Sequence, residues 1–132
     1  MAQLTAPNLL ATGSTDRLIC LWDLRTDATQ NISLTLSGHS APVSAVAAHP
    51  TSSLLFASGS YDSTVRIWDA RSPKQALFTL PIPKKEGDDD KKEPEKVLAI
   101  DWDGERLVAG CEGSRTIVWR VSGQESQAPA AQ

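Results

Sequence analysis

The sequence is poor in the features that most binding chemistries require. It holds two histidines, two cysteines and a formal net charge of −3, so it indicates no basic surface for nucleic-acid phosphates. No apolar run approaches the roughly 18 residues of a membrane helix, and the first residues lack the charged-then-apolar pattern of a secretion signal. These absences predict a soluble, intracellular protein with no membrane segment.

The few residues that bind metals in other proteins do not occur here in a metal-binding pattern. Cys20 and Cys111 lie at unrelated positions without ligand spacing, and we expect free thiols in a reducing compartment. His49, before Pro50, is interpreted as a turn residue, and no carboxylate cluster completes a histidine site. Asp88–Asp90 lacks the glycine-punctuated spacing of a calcium loop. The sequence therefore predicts neither a metal nor a cofactor.

An internal repeat is the strongest positive signal. Residues 10–23 and 55–69 are near copies that end in Trp-Asp, and their equivalent residues are 46 positions apart. A weaker third copy places Gly110 and Trp119 a further 51 residues along the chain. Self-similarity at about 40–45 residues that ends in Trp-Asp is typical of a blade of a β-propeller. The repeat therefore predicts an all-β protein that acts as a docking platform.

The repeat divides the chain into blades of short antiparallel strands. Residues 38–80 hold one complete four-stranded blade. Residues 1–37 hold a partial blade, whose innermost strand has only a poor candidate in residues 1–7. Residues 97–121 hold a final, degenerate blade without an outer strand, unless the chain from Val121 onwards supplies one. We expect strands at residues 9–12, 18–22, 32–36, 43–48, 54–58, 64–68, 76–80, 97–102, 107–110 and 116–121.

Two segments are not expected to belong to a blade. Residues 81–96 contain five lysines, six acidic residues and three prolines, a composition that cannot bury a core. We predict a charged, disordered and solvated insertion loop there; the alternative is a partner-binding or nuclear-import role for its lysine pairs. Residues 122–132 are predicted to form a disordered tail.

The number of blades predicts a fragment of a larger ring. A chain of 132 residues accommodates about two and a half to three blades, whereas closed propellers have about 4–8. Because each blade buries its faces only against its neighbours, two open faces remain. We expect a piece of a larger propeller, and assembly of several copies into a ring is the alternative. The isolated chain should fold poorly or self-associate.

Four residues resemble the structural tetrad of the WD-repeat family: His39, which follows Gly38, with Ser58, Asp62 and Trp68. In that family the histidine of the loop entering a blade hydrogen-bonds the aspartate of a turn. The network continues to a hydroxyl on the second strand and an indole N–H on the third. A buried carboxylate is costly unless several donors satisfy it. The resemblance implies a WD-repeat propeller fragment, the C-terminal part of a seven-bladed ring.

The other copies carry only part of this pattern. Asp16 and Trp22 occupy the tetrad positions of the first copy. In the third copy Gly113 stands at the aspartate position, and no Gly-His precedes Val97. We therefore expect the last blade to be held by strand pairing and by four apolar residues, Ile100, Trp102, Val118 and Trp119.

A hydrolase triad of Ser58, His39 and Asp62 is the competing interpretation. Such a triad needs an exposed, activated serine and an oxyanion hole. Ser58 lies within a predicted strand instead of on a sharp nucleophile turn, and the pattern recurs with the repeat. We therefore predict no catalytic residue and no enzyme activity.

The predicted binding surface is one rim of the blades. This rim is formed by the loops that enter each blade and by the turns before its third strand. Tyr61, the only tyrosine, lies in such a turn, where an aromatic ring with a hydroxyl is a good interface anchor. The residues that we expect to meet a protein partner at the rim are Thr15, Arg17, Pro42, Ser44, Tyr61 and Glu112.

A narrower resemblance covers roughly residues 8–121. It concerns the C-terminal blades of the WD-repeat family found in the ribosome-assembly complex that contains pescadillo and a block-of-proliferation partner. The similar segments are residues 10–17, 38–44, 58–62, 68–74 and 97–102. The resemblance implies a scaffold of the nucleus, nucleolus and nucleoplasm that docks on those partners in pre-60S particles. It also implies a role in maturation of 25S/28S and 5.8S ribosomal RNA.

Other functions remain open at this point. In the pescadillo-associated family an N-terminal ubiquitin-like domain is held by a remodelling ATPase, and no segment here matches that domain. A different WD-repeat adaptor, such as a substrate receptor of a ubiquitin ligase, is the alternative function. Direct RNA contact is left open, and no small-molecule substrate is indicated.

Overall fold

The computed structural model describes residues 2–4, 9–24, 32–52, 54–72, 74–89 and 91–121. The strands form three antiparallel sheets, and the described residues include no helix. Within these ranges there is accordingly no helix with the length and apolar character needed to cross a membrane. The all-β class predicted from the repeat is confirmed.

The first sheet has four strands in sequence order: β1 (Ala2–Gln3), β2 (Leu9–Gly13), β3 (Ile19–Asp23) and β4 (Ile32–Leu36). Its innermost strand has only two residues, which pair with β2. Leu4, directly after this strand, is buried against the second sheet. The poor candidate for an inner strand is therefore used, although the strand is short.

The second sheet also has four strands in sequence order: β5 (Val43–Ala48), β6 (Leu55–Ser60), β7 (Thr64–Asp69) and β8 (Phe78–Pro81). Successive side chains of a strand point to opposite faces of its sheet. Trp68 accordingly packs in the apolar cluster shared with the first sheet. Val65 and Ile67 pack in the cluster shared with the third sheet. The second sheet is thus covered on both faces.

The third sheet has three strands: β9 (Val97–Trp102), β10 (Arg106–Cys111) and β11 (Arg115–Arg120). The part of the chain that the structure describes supplies no fourth strand to it. The tail predicted at residues 122–132 lies outside the described residues.

The three tryptophans that end the repeats occupy equivalent places in successive sheets. Each lies in the third strand and pairs with an apolar residue of the second strand. The pairs are Leu10 with Trp22, Phe56 with Trp68 and Leu107 with Trp119. Each turn before the third strand also holds one residue at positive φ, and these residues are Arg17, Ser63 and Ser114. One backbone pattern is therefore built three times, at the spacings of the sequence repeat.

A glycine in the second strand sets the contact between neighbouring sheets. A Cβ atom at Gly59 would lie 2.6 Å from Val97 Cγ1 and 3.1 Å from Ile100 Cγ2. The missing side chain thus leaves a gap, or notch, in the face of the sheet. The notch at Gly13 receives Val43 and Val46. Because only hydrogen leaves this space free, each glycine admits a branched side chain from the first strand of the next sheet.

The charged segment 81–96, for which a disordered loop was predicted, makes contacts with the sheets at both ends. Ile82 is buried, and its N–H donates to the Ser63 carbonyl at 2.8 Å. Glu95 is only 8% exposed. The segment is anchored at both ends, because Ile82 packs in the core and Glu95 pairs with Arg115 and Lys85.

Candidate functional site

The four residues of the predicted tetrad lie in one hydrogen-bonded chain. Asp62 lies in the turn after β6, and His39 lies in the loop before β5. His39 Nδ1 is 2.9 Å from Asp62 Oδ2, and His39 Nε2 is 2.7 Å from Ser58 Oγ. The indole N–H of Trp68 donates to the same Ser58 oxygen at 2.8 Å. The chain therefore links the entering loop, the second strand, the turn and the third strand of one sheet.

One arrangement of protons satisfies every group of the network. Ser58 Oγ accepts from the Trp68 N–H, so its own hydrogen is free to be donated to His39 Nε2. His39 then carries its proton on Nδ1 and donates it to the carboxylate of Asp62. In this arrangement each donor has an acceptor. The arrangement thus buries these polar atoms without an unmade hydrogen bond.

Asp62 is the charged end of this chain. Burial alone would raise the pKa of Asp62, but hydrogen bonds from His39, Thr64 and the Ser40 N–H hold this pKa well below its usual range. Thr64 Oγ1 donates to Asp62 Oδ1 at 2.6 Å, and the Ser40 N–H donates to Oδ2 at 3.0 Å. The carboxylate stabilises the fold at neutral pH, and this contribution is lost in acid.

Ser58, His39 and Asp62 have the distances of a hydrolytic triad, but Ser58 is placed as a structural group. Its side chain is 0% exposed, and it lies within β6. The Trp68 N–H already occupies its oxygen. A substrate carbonyl has no approach to an oxygen buried in this way.

The first sheet contains a shorter version of the chain. The Trp22 N–H donates to Thr12 Oγ1 at 2.8 Å, as the Trp68 N–H does to Ser58. Asp16 is exposed, and its Oδ1 accepts the Leu18 N–H at 3.0 Å within the turn. Thr12 was not predicted from the sequence. The signal for it was its position 46 residues before Ser58, with a hydroxyl in the same place.

The third sheet has replaced these groups. Ala109 stands 51 residues after Ser58 and has no hydroxyl. Gly113 stands at the aspartate position, and a Cβ atom there would collide with the carboxylate of Glu95. Glu95 Oε2 accepts from Arg115 Nε at 3.0 Å. An acidic residue of the entering loop and a basic residue after the turn therefore replace the histidine and aspartate of the second sheet.

The four apolar residues predicted to hold the third sheet do not all lie in the core. Trp102 and Trp119 are buried in the cluster shared with the second sheet, and Ile100 packs against it. Val118 is half-buried and lies outside that cluster.

Four of the predicted partner-binding residues are exposed at the rim: Thr15, Arg17, Tyr61 and Glu112. Tyr61 is 41% exposed. The Lys96 ammonium lies 5.2 Å from the centre of its ring, from the loop that enters the third sheet. The Lys96 N–H donates to Glu112 Oε1 at 3.2 Å. A polar and aromatic surface is therefore continuous across the boundary between the second and third sheets.

The other two predicted contact residues are used within the molecule. Ser44 is half-buried, and its hydroxyl lies 2.5 Å from the Val97 carbonyl and 3.1 Å from the Gly59 carbonyl. It therefore ties β5 and β6 to β9, and the expectation that it faces solvent is corrected. Pro42 is half-buried as well, and its carbonyl accepts from the Tyr61 N–H at 3.0 Å. Both residues make internal hydrogen bonds beneath the exposed rim residues.

Neither cysteine forms a disulfide within the described residues, and these residues contain no metal-binding cluster. Burial raises the pKa of the Cys111 thiol, and the nearby charge of Glu95 raises it further. Cys111 is therefore a packing residue of the third sheet, without the lowered pKa of a reactive thiol.

A family model described as the WD domain, G-beta repeat (WD40), matches residues 4–23 and 30–69. These residues are WD40 repeats. The matched ranges end at the last residue of β7, so they cover the part of the chain that holds both indole-to-hydroxyl bonds. The third sheet lies beyond them, which agrees with its loss of the tetrad side chains. The WD-repeat resemblance is confirmed.

Two relatives of the chain have names from ribosome biogenesis. The chain is 34% identical over 110 residues to the ribosome biogenesis protein WDR12 homolog of Drosophila mojavensis, covering 83% of this chain and 24% of the relative. It is 36% identical over 100 residues to the ribosome biogenesis protein ytm1 of Schizosaccharomyces pombe, covering 76% and 22% respectively. The chain thus spans about a quarter of the length of these relatives.

A third relative shows how much the WD40 motif contributes by itself. The chain is 48% identical over 46 residues to the protein transport protein SEC31 of Chaetomium globosum, covering 35% of this chain and 3% of the relative. A match about as long as one repeat thus extends to a protein named for a different process. The two longer matches cover most of the chain, including residues outside the WD40 ranges.

Proposed function

We propose that this chain is a non-catalytic, protein-docking scaffold in ribosome biogenesis. The observation that carries the proposal is the identity of 34% and 36% to two proteins of that name over about three quarters or more of the chain. The match to the transport protein covers a single repeat length, so it supports the motif and no particular process. The buried position of Ser58 supports a non-catalytic role.

The specific role that we propose is assembly of the large ribosomal subunit. In this role the chain docks on block-of-proliferation and pescadillo-type proteins in pre-60S particles of the nucleus, nucleolus and nucleoplasm. It thereby supports maturation of 25S/28S and 5.8S ribosomal RNA. These partners follow from the sequence resemblance, and the ribosome-biogenesis names of the relatives support them at a coarser level.

The proposed docking surface is the exposed rim around Tyr61. Tyrosine provides a large contact area at low entropic cost, and it is enriched at interface anchors. Lys96 holds a positive charge beside the ring, and Glu112 adds an exposed negative charge next to Lys96. Arg17 is an exposed cation in the corresponding turn of the first sheet. Such a polar rim around an aromatic residue suits a protein partner.

The experiment is affinity purification of the full-length protein from nuclei, comparing wild type with Tyr61→Ala. We expect pescadillo and pre-60S components to co-purify with wild type and to be several-fold depleted with Tyr61→Ala. Leu77→Ala is the matched control, because Leu77 is apolar and 46% exposed but lies before β8. Recovery of ubiquitin-ligase subunits in place of ribosomal precursors would refute the proposal. Equal recovery with all three proteins would remove Tyr61 from the docking surface.

A further inference from the structure

The charged segment without Pro81, which ends β8, comprises residues 82–96 and is called the insert below. It encloses a small cluster of charges against the turn between β10 and β11. Glu95 is the buried member, at 8% exposure. Its Oε2 accepts from Arg115 Nε at 3.0 Å, and Lys85 Nζ lies 3.6 Å from its Oε1. The carboxylate fits there because Gly113 has no side chain. One carboxylate thus lies between two cations that come from different parts of the chain.

The two cations are themselves positioned by backbone carbonyls. Arg115 Nη2 donates to the Pro83 carbonyl at 2.5 Å, and Lys85 Nζ donates to the Gly113 carbonyl at 3.1 Å. Both side chains are therefore held in place by a second contact besides Glu95. A guanidinium and an ammonium that face one point form a recognition site for a carboxylate.

The insert contains a second ion pair of a different kind. Lys92 Nζ lies 3.0 Å from Asp88 Oδ1, and the Lys92 side chain is 52% exposed. Exposed pairs of this type contribute little, because water and salt screen them. The Glu95 and Arg115 side chains are only 9% and 20% exposed, whereas that of Lys85 is 40% exposed. Removing Arg115 therefore leaves the Glu95 carboxylate charged in a poorly solvated position. Glu95 is therefore the main polar contact that holds the insert against the turn between β10 and β11, in addition to the buried Ile82.

We propose that Arg115 and Lys85 form a carboxylate-binding site that Glu95 occupies from within the chain. An acidic segment of a partner protein competes with Glu95 for this site. When it displaces Glu95, the insert is released from the third sheet and the partner's carboxylate takes over both cations. Glu95 is thus an internal ligand that keeps the site closed until an acidic partner is present.

The test measures opening and binding separately in the full chain. Opening is the rate of tryptic cleavage after Lys85, relative to cleavage after the exposed Lys74 in the same digest. Binding is the fluorescence anisotropy of labelled poly-L-glutamate. Glu95→Gln should raise both by several-fold, because it removes the negative charge that holds the internal ligand between the two cations. Arg115→Met should raise cleavage but should not raise binding, because it removes the cation that receives the carboxylate.

Asp103→Asn is the matched control. It changes net charge by the same amount as Glu95→Gln, and it breaks the exposed Asp103–Arg106 pair of the same sheet. Its cleavage and binding should equal those of wild type. If Glu95→Gln melts below the assay temperature, Glu95→Asp provides the same readings, because it shortens the acid by one methylene and retains its charge. Equal binding by the Glu95 and Asp103 variants, or gained binding by Arg115→Met, would overturn the proposal.

Discussion

The second and third sheets have the same backbone pattern but are held together by different chemistry. In the second sheet, His39 connects a hydrogen-bond chain from Trp68 to Asp62. In the third sheet, Trp119 keeps its place although Ala109 supplies no hydroxyl, and Arg115 of β11 pairs with Glu95 of the charged segment at the turn. The third sheet therefore keeps the packing positions of the second sheet, although it lacks the hydrogen-bond chain. We infer that packing defines the blade and that the tetrad adds stability to it.

The comparison is tested most severely by removing the two tryptophans. Trp68→Ala should cost about 3–5 kcal/mol of unfolding free energy, because it leaves a large cavity and removes the donor to Ser58. Trp119→Ala should cost less, because it removes packing alone. Urea denaturation measures both, with the exposed Leu98→Ala as a control expected within about 0.5 kcal/mol of wild type. Equal losses at the two tryptophans would show that the polar chain adds nothing.

The charge of Asp62 provides a test by pH. Asp62→Asn should destabilise the protein by about 1.5–3 kcal/mol at pH 7, because the charged acceptor of several hydrogen bonds is lost. The folded pKa lies below the unfolded value of about 4, so this contribution is present above pH 4 and disappears as pH falls further. Denaturation of both proteins between pH 7 and pH 3 should show the difference shrinking. A difference that is constant with pH would contradict the assignment of charge to Asp62.

The equivalent glycines of the second and third sheets, Gly59 and Gly110, differ in the free space around them. Gly59→Ala should cost about 1–3 kcal/mol, because the new methyl group meets Val97 and Ile100. Gly110→Ala at the equivalent position meets no described atom within 4 Å, so it should be neutral or slightly stabilising. Thermal melting of the two variants checks the comparison. A larger loss for Gly110→Ala would show that its face is covered in the protein.

The smallest effect is expected for the short chain of the first sheet. Thr12→Val keeps the shape of the side chain but removes the acceptor for the Trp22 N–H, at a cost of about 0.5–1.5 kcal/mol. Ser58→Ala should cost more, because the Trp68 N–H is fully buried and cannot turn to water. Chemical denaturation of the two variants compares them. The order would be reversed if Trp22 were the more buried indole in the full-length protein.

The sequence predicted the features that repeat and failed where contacts are particular to one place. The spacing of Trp22, Trp68 and Trp119 was enough for the fold, because backbone pairing follows the repeat. The role of Glu95 was missed, because it depends on a cation that is 20 residues away and on an absent side chain at Gly113. Ser44 was predicted to face solvent. A serine in a strand looks the same in the sequence whether it faces solvent or lies between two sheets, so its contact with β9 could not be predicted.

The notch at Gly59 has a consequence for how such a chain tolerates change. Alignment of the third sheet on the second is fixed by where a valine and an isoleucine enter that notch. The length of the connection between the sheets therefore does not have to set their spacing. Insertions between β8 and β9 can grow or shrink over generations while the neighbouring strands stay in step, so this connection is free to acquire new binding specificity.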